Sequence, residues 1–219
     1  MFNDSNFEAT PIRLIQAAGA LFAVKGYKKT TIRDICDLAE ANIASVNYHF
    51  QDKSNLFNEV KNFVVNDVWE RYPHDYEVKA GMKPEKKLFY FVRSILLRTY
   101  SPDLPSWYNL ILKNEILGKS NAANDLMLEY VKNSKKYFIS IANEIMGSEV
   151  DYELLEFCES FTVGQVLHLM QSDFRETLPI NVSVLTYEEI DKISELITKY
   201  SIGGLKTLKE EYSDSSYNT

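Results

Sequence analysis

The chain has 219 residues, 45% of them apolar, and a formal charge of −7 at pH 7. That supports one large core, or a small domain joined to a larger one. No run of about twenty apolar residues is present for a membrane span, and the start lacks the basic and apolar blocks of a signal peptide, so the expectation is a cytoplasmic protein without a membrane partner.

Helical spacing dominates throughout, which predicts an all-α fold. Residues 10–26 form a first helix: Thr10 and Pro11 open it, Leu14, Ala17, Ala18, Leu21 and Phe22 give its apolar face, and Gly26 stops it. The stretch TTIRDICDLAEANIASVNYHFQDK, residues 30–53, then has the pattern of a helix-turn-helix. Ile32, Ile35 and Leu38 recur every three residues along one side of a short helix that Thr30 or Thr31 caps. Ala39 to Asn42 interrupt the pattern, with Asn42 placed to cap a second helix from Ile43 to about His49. Val46 and Phe50, four apart, face inward and leave Ile43, Ala44, Ser45, Asn47, Tyr48 and His49 outward. This outer face is uncharged and rich in hydroxyl, amide and small side chains, which suits insertion between base edges.

A fourth helix starts beside Asp52 and runs through Leu56, Phe57, Val60, Val64 and Val68 to about Trp69 or Arg71, the length and position of a linker helix. Residues 72–84 break the periodicity. Helices follow at roughly 84–100, 105–118, 121–147 and 151–172, then an irregular piece at 173–185, a last helix at 186–212, and a tail at 213–219 of disordered character. The domains expected are a helix-turn-helix domain at 1–52 and a larger helical domain at 53–212.

Charge divides unevenly along the chain. Through Lys53 the bases Arg13, Lys25, Lys28, Lys29, Arg33 and Lys53 balance the acids Asp4, Glu8, Asp34, Asp37, Glu40 and Asp52, so all net negative charge lies beyond the motif. Lys28, Lys29, Arg33 and Lys53 bracket the motif where phosphates would lie; a solvated basic rim is the plainer reading of the same residues.

The order of parts resembles the DNA-binding domain of the TetR family of transcriptional regulators. The residues that carry it are Phe22-Ala23-Val24-Lys25-Gly26-Tyr27, then Thr31-Ile32-Arg33-Asp34-Ile35, then Val46-Asn47-Tyr48-His49-Phe50, followed by Asp52-Lys53 and Leu56-Phe57. Glu40 departs from the pattern, standing where the family usually has glycine; a left-handed backbone there costs a non-glycine residue on the order of 1 kcal/mol. The resemblance implies a homodimer on a near-palindromic double-stranded operator, repression, and release by a small-molecule effector. It carries Ile43, Ala44 and Asn47 over as base-edge readers, with Asn47 suited to bidentate pairing with adenine, and Thr31, Ser45, Tyr48, His49 and Lys53 as phosphate contacts. A second resemblance, to regulators with a CecR-type C-terminal domain, rests on Asn42-Ile43-Ala44, Val46-Asn47-Tyr48 and Leu110-Ile111-Leu112-Lys113-Asn114-Glu115, and would imply control of efflux or stress genes.

Two late helices carry apolar residues on more than one face. Phe161, Gly164 and Leu167 on one, with Ile193, Ile197 and Tyr200 on the other, are the expected dimer surface; ordinary burial within one chain is the other reading. Arg98, Tyr100, Trp107, Tyr108, Lys113, Glu115, Tyr130, Gln165 and His168 set polar groups among aromatics, as a small-molecule pocket does, with Trp107, Glu115 and His168 foremost. Aromatic stripes are also ordinary core.

No nucleophile–base arrangement, phosphate loop or metal-ligand spacing occurs, so neither enzyme, cofactor nor metal is expected. Cys36 and Cys158 lack neighbouring ligands and read as buried thiols, a redox sensor being the other possibility. The competing function is a dimeric helical interaction protein whose helix-turn-helix is structural and meets no specific operator.

Overall fold

The computed structural model describes residues 10–117, 125–147, 150–170 and 185–215. Within these the chain is helical: α1 (Thr10–Lys25), α2 (Ile32–Ala39), α3 (Ile43–Phe50), α4 (Lys53–Arg71), α5 (Pro84–Tyr100), α6 (Ser106–Leu117), α7 (Asp125–Met146), α8 (Tyr152–Met170) and α9 (Tyr187–Ser215). The irregular piece expected at 173–185 lies outside the described residues except for Leu185, and α9 continues three residues past the expected end at 212.

The helices form two compact units. The first comprises residues up to Asp67 together with 105–126, so it takes in most of α4 and all of α6. At its centre α1 packs on α2, α3 and α6, with Leu14, Ala18, Ile35, Val46, Leu56 and Val60 fully buried. Gly19 admits α6 closely: a Cβ built there would lie 2.2 Å from the Trp107 ring, a distance no alanine could keep. Phe22, Tyr27 and Phe57 form an aromatic triad, with Phe22 edge-on to Phe57 at 5.0 Å.

The second unit comprises residues 68–104 and 127 onward. Its core is α5 against α9 and α8, with Leu88, Phe91, Val92, Leu96, Leu155, Val166 and Ile190 buried. Ser94 and Ser194 are fully buried, and each hydroxyl donates to a carbonyl of its own helix, Phe91 O and Ile190 O, so these small side chains add no unpaired polar group to the interior. Arg93 of α5 reaches Asp191 of α9 at 2.5 Å and Glu77 at 2.9 Å. Thr162 of α8 donates to Ser201 of α9 across a buried 3.0 Å bond.

Glu40 does adopt the left-handed conformation, at φ 50° and ψ 46°, and ends α2 by donating its N–H to Cys36 O. Its side chain is exposed, so only backbone strain is at stake. Glu40→Gly should raise stability by about 0.5–1 kcal/mol, the relief of strain being partly offset by greater freedom of the unfolded chain. Urea unfolding monitored by circular dichroism measures this, and an unchanged or lower midpoint would count against the strain.

Candidate functional site

Both motif helices are fixed by side-chain caps. Thr31 opens α2 with a reciprocal pair: its hydroxyl accepts the Asp34 N–H at 3.1 Å, and the Asp34 carboxylate accepts the Thr31 N–H at 3.0 Å. Those bonds, with Lys25 nearby, hold the Asp34 carboxyl below its usual range. Thr30 is buried instead, donating its hydroxyl to Gly26 O at 2.9 Å and closing the end of α1. Asn42 opens α3 by accepting the Ala44 N–H at 3.0 Å.

The faces of the two helices then follow from periodicity. On α3, Val46 and Phe50 are buried while Ile43, Ala44, Asn47, Tyr48 and His49 are exposed and Ser45 is half-buried, with Tyr48 reaching 84% exposure. On α2 the buried set is Ile35, Cys36 and Ala39, and Leu38, expected inside, is 56% exposed. The expectation used a spacing of three; a helix repeats every 3.6 residues, which carries position 38 off the inner face and brings 36 and 39 onto it.

Lys53, expected as a phosphate contact, also has partners within the chain. Its ammonium donates to Tyr27 O and Thr30 O at 3.0 Å each and lies 4.4 Å from the Tyr27 ring centroid. Two of its three N–H donors thus fasten the first turn of α4 to the α1–α2 connection. Lys28, Lys29 and Arg33 are exposed around the same end of the motif.

The residues expected to form a ligand site are divided between the two units. Trp107 and Tyr108 belong to the first unit, where Trp107 fills the notch at Gly19. Gln165 lines a groove between α8 and α9 with Phe161, Thr162 and Tyr200, and His168 is exposed. Lys113 is half-buried on α6, and the Glu115 side chain lies outside the described residues. Arg98, Tyr100 and Tyr130 are in the second unit, where Tyr100 is buried and Arg98 is 4% exposed. The Arg98 guanidinium donates to Tyr72 O at 2.5 Å, just past the end of α4, and its carbon stands 4.8 Å from the centroid of Trp69, whose ring stacks on Tyr130 at 5.1 Å. Burial pushes the Arg98 pKa down to about 9, which still leaves it cationic at neutral pH. Burying such an ion costs several kcal/mol. The carbonyl at a helix end and the aromatic face each return only about 1–2 kcal/mol.

The two cysteines are buried, and burial raises both thiol pKa values, as inert core thiols require. Among the described residues no cluster of His, Cys, Asp or Glu could hold a metal ion, and no helix is long and apolar enough to cross a membrane.

Residues 14–60 match the family model described as bacterial regulatory proteins, tetR family, and residues 84–205 match that of the C-terminal domain of the HTH-type transcriptional dual regulator CecR. The chain belongs to the TetR family of transcriptional regulators. Among curated relatives, the HTH-type transcriptional regulator QacR of Staphylococcus aureus is 30% identical over 41% of this chain and 47% of its own. The probable acrEF/envCD operon repressor of Escherichia coli is 45% identical over 22% of this chain and 21% of its own. The chain thus matches about half or less of each relative's length. Of solved structures, the ketosteroid transcriptional regulator KstR2 of Mycobacterium tuberculosis has the same fold, with a TM-score of 0.61 at 16% identity over 91% of this chain and 96% of that one.

In this TetR-family chain α8 and α9 expose large apolar side chains. Phe161 is 69% and Tyr200 77% exposed, with Tyr152, Phe157 and Leu196 also exposed. Gly164 is exposed, and Leu167 and Ile193 are half-buried. Ile197 departs from expectation: it is buried within its own chain, because Ile190, Ser194, Ile197, Ser201 and Leu205 form the inward stripe of α9. Leu196 and Phe157 went unnamed in the sequence, although each stands four residues before a named one, Tyr200 and Phe161, on the same helix face.

Lys53→Met keeps the side-chain length but removes both carbonyl bonds. It should lower stability by about 1–2 kcal/mol, a discounted figure for partly exposed bonds to a charged donor. Thermal unfolding measures the loss; unchanged stability together with a salt slope of DNA binding reduced by about one would instead place Lys53 on a phosphate.

Proposed function

We propose that the chain is a ligand-responsive repressor that binds a near-palindromic operator as a homodimer, with one α3 helix entering the major groove at each half-site. The observation that carries this reading is the outer face of α3, where Ile43, Ala44 and Asn47 stand exposed while Val46 and Phe50 hold the helix down. Asn47 pairs its amide with adenine N6 and N7, and Ile43 or Ala44 lies against a thymine methyl. Thr31, Ser45, Tyr48 and His49 contact phosphates and set register. The Thr31 hydroxyl accepts from Asp34 within its cap and keeps its own proton for a phosphate oxygen. Exposed Lys28, Lys29 and Arg33 supply long-range attraction, a role that passes to them because the Lys53 ammonium is held by carbonyls.

Support for the dimer is the exposed stripe of Phe157, Phe161, Leu196 and Tyr200, a patch of the kind that a second copy covers. Repression follows the named roles of relatives, including the Escherichia coli operon repressor. Such a regulator acts beside the chromosome, in the cytoplasm. An effector bound in the second unit changes the position of α4 and with it the separation of the two α3 helices. An effector that binds the released state better by about 3 kcal/mol shifts that equilibrium by roughly two decades.

Asn47→Ala should reduce the preference for the operator by about 1–3 kcal/mol and leave nonspecific affinity unchanged. Fluorescence anisotropy on a duplex of the preferred sequence and on a scrambled duplex of equal length distinguishes the two terms. Equal losses on both duplexes would remove Asn47 from base reading.

A further inference from the structure

Arg98 is an unusual choice for its position on α5. It is buried between Leu97 and Thr99, which are themselves buried, and among the described residues its guanidinium makes one hydrogen bond, to the Tyr72 carbonyl. No carboxylate pairs with it there. A guanidinium has five N–H donors in a fixed planar fork, so most of its capacity is unused. The ring beneath it adds another unused donor: the Trp69 indole N–H is buried and has no hydrogen-bond partner among the described residues. The spare guanidinium donors and the indole N–H therefore lie close together, and neither has an acceptor among the described residues.

The surroundings are aromatic. Tyr130 stacks on Trp69, and His74, set against Tyr137 at 4.7 Å, has its pKa lowered by burial first, with the Arg98 cation adding to the effect and Asp75 opposing it. A purely structural arginine capping the end of α4 would use its fork on several of the carbonyls left open there; this one serves a single carbonyl.

We propose that Arg98 is the anion receptor of the effector site, and that the effector is a carboxylate carrying a flat apolar body. The inference rests on the ligand-responsive reading given above and adds the chemical class. A carboxylate accepts two parallel bonds from the fork and can take the Trp69 N–H as well, while its apolar part lies among Trp69, Tyr130 and Tyr137. The same bonds compete with the Tyr72 carbonyl for the guanidinium. Capture of the anion thus loosens the grip on the end of α4, the helix whose other end Lys53 fastens to the DNA-reading motif.

The test uses the full chain and two probes of one shape, 3-phenylpropanoate and 3-phenylpropanamide, read by thermal shift and by operator affinity. The carboxylate should raise the unfolding temperature and weaken operator binding at concentrations at least about tenfold below those the amide needs. Arg98→Met should abolish that discrimination and, without ligand, unfold no earlier than the wild type. Should Arg98→Met fail to fold, Arg98→Lys keeps the charge but loses the fork, and should bind the carboxylate about tenfold more weakly. Equal response to both probes would overturn the anionic class and leave ligand control standing. A carboxylate response that survives in both variants would remove Arg98 from the site. No response to either probe, with early unfolding of Arg98→Met, would make Arg98 a structural cap and overturn the inference.

Discussion

An eight-residue helix does not hold itself together in water, so everything α3 does depends on what fastens it. Asn42 satisfies its first turn, and Val46 and Phe50 bury one side in the first unit. Those two anchors use every inward position and leave the remaining side chains without a role in the fold. On the reading proposed above, this is why the exposed set of α3 can be short, uncharged and turned to DNA. Glu40 belongs to the same arrangement, because the turn between α2 and α3 needs a left-handed residue and tolerates one that bears a side chain.

α4 carries the consequence away from the motif. Its first turn is fastened by Asp52, which accepts the Asn55 N–H at 2.8 Å, and by the Lys53 ammonium on two carbonyls. Just past its last turn, the Tyr72 carbonyl accepts from Arg98. A cation therefore acts at each end of this helix, one placed half-exposed beside Tyr27 and the other buried beside Trp69. The first is a stable fastening, since its surroundings are polar and wet. The second is poised, since a buried guanidinium with one carbonyl gains much from a better acceptor. The proposed ligand response requires the two ends to communicate, and the proposed role of Arg98 supplies a reason for one of them to move.

The motif was legible because its signals are local. Caps, a buried pair four apart and a turn residue in the wrong class all act within a few residues, and each appears where expected at Thr31, Asn42, Val46, Phe50 and Glu40. The helix boundaries were legible for the same reason, through Pro84, Gly147 and the Thr186–Glu189 pair that caps α9. What the sequence left hidden was long-range. That Trp107 packs on Gly19 depends on a contact across 88 positions of sequence, which composition cannot encode. The bonds of Lys53, expected as a phosphate contact, were hidden because its acceptors are backbone carbonyls 23 and 26 residues away, invisible to any count of side chains. Ile197 and Leu196 are adjacent, alike in chemistry and opposite in exposure, so only the inward stripe of α9 decides between them.

The central claim is that α3 reads DNA sequence in two copies related by two-fold symmetry. Selection of duplexes from a random library by the purified full chain tests it most directly. The account predicts enrichment of an inverted repeat with half-sites about one helical turn apart. Enrichment of a single half-site would contradict the symmetric dimer, and no enrichment at any salt concentration would contradict the reading of α3 itself.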